Sequence, residues 1–75
     1  MITEVMKTAG DNIAALLYDA TIEHALGDGV NFEGVSEHDA KLVKAYIAEE
    51  ISSAEAIYLA MEHARQEDNR RWRDS

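Results

Sequence analysis

Cysteine is missing from this sequence, and so is proline. Without cysteine there is no disulfide framework, no thiolate zinc site and no cysteine nucleophile, which fits a reducing compartment. Without proline the chain lacks the residue that most strongly breaks helices. Glycine occurs four times, and three of these fall between Gly27 and Gly34. No apolar run approaches the ~18 residues needed to cross a bilayer. Residues Met1 to Lys7 show neither the basic start nor the apolar stretch of a signal peptide. These absences predict a cytoplasmic protein with no membrane partner.

Catalytic patterns are also lacking. There is no Gly-x-Gly-x-x-Gly and no phosphate-binding loop, and Gly27-Asp28-Gly29 is too short to cradle a phosphate. Serine occurs only at positions 36, 52, 53 and 75, the first three explained as helix caps or a helix-interior pair. The three histidines each follow a glutamate, in Glu23-His24, Glu37-His38 and Glu62-His63. Adjacent residues lie about 100° apart on a helix and do not converge on one ion. Di-metal helical bundles use Glu-x-x-His instead, which puts both ligands on one face; that spacing is absent. The expectation is a protein that is not an enzyme and binds no metal or cofactor.

What is present is alanine and acid. Twelve alanines favour helix, since alanine has the highest intrinsic helix propensity. They leave 23 large apolar residues among the 75, enough for one thin core and a single domain spanning residues 1 to 75. Such small domains are marginal alone and often oligomerise. The formal charge of −8 is unevenly spread. Residues 1 to 63 hold 12 acids and 3 lysines, or −9, whereas residues 64 to 75 hold 3 acids and 4 arginines, or +1. An acidic body repels phosphate, so direct nucleic-acid binding by the body is excluded, and a protein partner with a basic surface is favoured.

From Ile2 to Leu26 the apolar residues Ile2, Val5, Met6, Ala9, Ile13, Leu16, Leu17 and Ala20 recur at helical spacing. Glu4, Asp11, Asp19 and Glu23 gather on another arc. Thr3 and Asp11 are both suitable N-caps, and Gly10 marks either a break or a costly interior position. Gly27 ends this first helix, since glycine enters the left-handed region freely. Residues 27 to 36 then form a loop whose Val30, Phe32 and Val35 fold back over the core. Ser36, followed by Glu37 and Asp39, caps the next helix.

The second stripe runs Ala40, Val43, Ile47, Ile51, Ala54, Tyr58 and Met61. It passes Ser52-Ser53-Ala54-Glu55, which matches a capping box, without a phase jump. One continuous helix over about 37 to 68 is therefore predicted, followed by a polar tail over 69 to 75. Such a helix is about 48 Å long at ~1.5 Å per residue, more than the first helix can shield. The predicted architecture is an all-α helical hairpin that dimerises into a four-helix bundle. Val43, Ile47, Ile51, Tyr58 and Met61 form its homodimer interface. The alternative is a three-helix monomer with a break near Ser52.

Two sets of residues are candidates for binding. Asp19, Glu23, Glu49, Glu50, Glu55 and Glu62 form an acidic face suited to a basic, nucleic-acid-binding site on another protein. Arg70, Arg71, Trp72 and Arg73 form a terminal segment rich in residue types found at interface hot spots. The functional expectation is a small acidic protein-binding inhibitor, in concrete form a phage-type antagonist of host defence or transcription. The alternative is a regulatory or structural homo-oligomer with the arginine and tryptophan tail as its binding element.

Overall fold

The structure, a computed structural model, describes residues 2 to 74, with side chains through residue 71. Its elements are α1 (Glu4–Ala25), α2 (Glu37–Ile47) and α3 (Ser53–Asp74), and no strand is present among the described residues. All three helices are opened by a hydroxyl that accepts a backbone N–H three residues on. Thr3 Oγ1 accepts from Met6 at 3.2 Å, Ser36 Oγ from Asp39 at 3.3 Å and Ser52 Oγ from Glu55 at 3.1 Å. Each bond satisfies an amide that the helix itself leaves unpaired.

The continuous helix expected over 37 to 68 is two helices, with the chain turning at residues 48 to 52. The capping box at Ser52 marks the real start of α3. Glu49 lies in the left-handed region at φ 62°, where a residue with a Cβ is disfavoured by about 1–2 kcal/mol. The three-helix alternative is therefore the observed fold. The terminal stretch also differs from expectation, because the backbone of α3 stays helical through Asp74.

Helices α1 and α3 run antiparallel. Gly10 of α1 lies against Met61 and Ile57 of α3, and Ala64, later in α3, borders one surface depression with Val5 and Thr8, earlier in α1. The chain directions are therefore opposed, and Gly10 is an interior contact of one unbroken helix. A Cβ placed there would stand 3.1 Å from Met61 Cγ, so glycine lets the helices approach closely. Alanine does the same from the other side, since the buried face of α3 is Ala56 and Ala60. That face differs from the predicted stripe: Ala54 and Tyr58 are exposed, and the inward residues lie one to two positions further on.

Helix α2 closes the core from the side with Leu42 and Val43, against Ile13, Leu17 and Ala20 of α1. Ile13 and Val43 are the largest fully buried side chains, at 0% and 1% exposure. Their transfer from water contributes roughly 1.5–3 kcal/mol each. Val30 and Phe32 of the loop pack onto this cluster as expected, and Lys44 Nζ sits 5.2 Å from the Phe32 ring centre. The molecule is elongated, 45 × 23 × 19 Å, because the last turns of α3 run past the start of α1.

Candidate protein-binding surface

Four of the five residues assigned to a homodimer interface pack within the chain itself. Val43 is buried, Ile47 and Ile51 pack against the core, and Met61 covers Gly10. Tyr58 alone of the five is free, at 61% exposure. A straight rod over residues 37 to 68 would present more apolar surface than α1 can cover. With the rod bent at Glu49, α2 brings Val43 into the core and Ile47 against it, while Tyr58 stays exposed.

The six acidic candidates fall on three elements. Asp19 and Glu23 are on the second half of α1, Glu49 and Glu50 in the turn between α2 and α3, and Glu55 and Glu62 on α3. The antiparallel register puts the end of α1, the turn and the start of α3 at one end of the molecule. Arg65, Arg70 and Arg71 belong to the other end. The charge asymmetry of the sequence is thus an asymmetry along the long axis.

These carboxylates differ in what they touch. Glu62 is engaged by Arg65 at 2.9 Å; the hydrogen bond from Arg65 and then the charge of Glu62 push the Arg65 pKa further up. Glu23 accepts the backbone N–H of Asn31 at 3.2 Å and helps to fold the loop. Asp19, Glu49, Glu50 and Glu55 form no ion pair among the described residues and are exposed. They can accept charged hydrogen bonds from outside. In the basic segment, Arg70 and Arg71 are exposed on the last turns of α3, and Arg70 lies 3.5 Å from Glu67. The side chains of Trp72 and Arg73 lie outside the described residues.

Two arrangements were not foreseen from the sequence. His38, in the first turn of α2, stacks on His63 of α3 with ring centres 3.8 Å apart and planes 11° from parallel. His38 Nδ1 is buried without a hydrogen-bond partner, and Asp39 Oδ1 is 3.8 Å away. His63 Nε2 is 3.8 Å from Glu67 Oε1, four residues along the same helix. Stacked imidazoles direct their lone pairs side by side, not toward a shared point, and among the described residues no group of three or more His, Cys, Asp or Glu is set to hold a metal. The pair ties α2 to α3. Only the fold reveals it, because residues 25 apart carry no spacing signal.

The second arrangement is on the outer side of α1. Tyr18, Ile22 and Leu26 are exposed, and their four-residue spacing makes them a continuous row. The signal was available, since the same wheel that puts Ile13 and Leu17 inward puts these three outward.

No helix among the described residues is long and apolar enough to cross a membrane. Comparison with protein-family models, with curated proteins and with solved structures found no match.

Proposed function

We propose that this chain is a protein-binding module, without enzymatic activity, whose acidic end engages a basic surface of another protein. Its concrete form is an inhibitor that occupies the nucleic-acid-binding site of a partner, as a phage-type antagonist of host defence or transcription would. The observation that carries the reading is the set of exposed carboxylates without ion pairs, Asp19, Glu49, Glu50 and Glu55, at one end of an acidic body. A surface dense in unpaired carboxylate resembles a phosphate array in charge, and it steers a cationic partner toward it.

The single chain is taken as the binding unit. A homodimer would need a face other than Val43, Ile47 and Ile51, which the core already uses; light scattering in dilute solution distinguishes the two states. The test of function is capture of partners from host lysate at low and high salt. Basic nucleic-acid-binding proteins retained at low salt and released at high salt are expected. Retention indifferent to salt, or of acidic proteins alone, removes the electrostatic reading.

A second reading makes the arginine segment the binding element. It is supported by the helical backbone through Asp74, which would present Arg70 and Arg71 in a preformed arrangement. Truncation after Asn69 separates the readings: lost binding favours the segment, and unchanged binding favours the acidic end.

A further inference from the structure

We infer that the outer face of α1 docks a basic amphipathic helix of the partner, an inference that rests on the acidic-module reading and specifies where it acts. Tyr18, Ile22 and Leu26 are 69%, 42% and 72% exposed. At ~100° per residue their mean direction is roughly 160° from that of the buried residues Met6, Gly10, Ile13, Leu17 and Ala20. No rotation of α1 brings both sets inward, so the row takes no part in the chain's own core.

Exposed apolar residues scattered singly are ordinary, but a contiguous row marks an interaction surface. Residues four apart form the ridge that fits the groove of a second helix, and tyrosine is enriched among binding hot spots. The ridge covers about 12 Å of helix at ~1.5 Å per residue, or two turns of a partner.

The surrounding charge selects the occupant. Asp19 borders the ridge and Asp11 lies in line with it two turns toward the helix N-terminus, both exposed and neither in an ion pair among the described residues. An apolar strip with an anionic margin complements a helix whose apolar strip has lysines or arginines beside it. A second copy would meet these carboxylates with its own, and like charges across such a contact are repulsive. Anionic lipid headgroups are disfavoured for the same reason.

The probe is a synthetic amphipathic helix of leucine and lysine, about five turns long. Its controls are a scrambled peptide of the same composition and an oligolysine of equal charge. Binding is followed by calorimetry, and its location by amide shifts in nitrogen-15 spectra. Amphipathic peptide is expected to bind more tightly than either control, with shifts concentrated on residues 11 to 26. The double variant Tyr18→Ser, Ile22→Ser should weaken it by about tenfold or more, with an unchanged circular-dichroism spectrum. Equal binding of the scrambled peptide, equal binding by the variant, or shifts centred on the α2–α3 turn overturns the α1 site while leaving the acidic module standing. Failure of all three peptides to bind overturns both.

Discussion

The ends of α1 and α2 close with the same pair of hydrogen bonds, built on different residues. At the end of α1 the N–H of Asp28 donates to the Glu23 carbonyl at 2.9 Å, and that of Gly27 to His24 at 3.1 Å. At the end of α2, Glu50 donates to Ala45 at 2.9 Å and Glu49 to Tyr46 at 3.0 Å. Both are Schellman closures, in which the residue after the cap turns left-handed. Gly27 does so at φ 81° and Glu49 at φ 62°. The first turn is encoded locally, by a residue that enters that region freely. The second is set against local preference and is held by what it joins: Val43, Ile47 and Ile51 reach the core only if the chain bends there. A corner can thus be specified by burial on both sides of it and by the Ser52 cap beyond it.

This contrast can be broken most forcefully at Val43. If burial holds the second corner, Val43→Ala should cost about 2 kcal/mol or more, from the lost apolar transfer plus the cavity left behind. Urea unfolding followed by circular dichroism measures it; a cost within about 0.5 kcal/mol, typical of surface sites, would mean that α2 contributes little to the core. Gly27→Ala tests the first corner. A Cβ there meets open space, so the expected loss of about 1 kcal/mol comes from backbone conformation alone and is seen as a lower thermal midpoint. The smallest effect has the opposite sign. Glu49→Gly should raise stability by about 0.5–1 kcal/mol, since relief of the left-handed penalty exceeds the added freedom of the unfolded chain. If that variant also binds basic partners less well, the glutamate is kept at a strained position for its charge.

How far each feature was legible follows from the same physics. Thr3, Ser36 and Gly27 act through hydrogen bonds or dihedrals within a few residues, so their roles can be read from neighbours in the chain. The Ser52 capping box is visible too, but the unbroken apolar spacing argues for a helix running through it. The stripe from Val43 to Met61 misled because its spacing in the sequence continues across the turn, whereas the inward face does not: Ala54 and Tyr58 keep the spacing yet are exposed. The inward face of α3 was hidden for another reason. Its buried members, Ala56 and Ala60, are small and carry little hydrophobic signal, and they become core by packing with Ile13, Leu17 and Ala20 of α1. Among the candidate binding residues, composition located the charge but not its pairing. Glu62 is neutralised by Arg65 three residues on, whereas Asp19 is not paired among the described residues.

The amino-acid order by itself determined the helical class, the cap at Ser36, the loop with its glycines and the separation of acid from arginine, because propensity, capping and charge are properties of residues and their near neighbours. The tertiary structure alone decided that the second rod bends into two helices, that Val43 of the stripe enters the core while Tyr58 stays exposed, and that His38 meets His63. Those outcomes depend on which surfaces can approach one another, and that is a property of the packed chain as a whole.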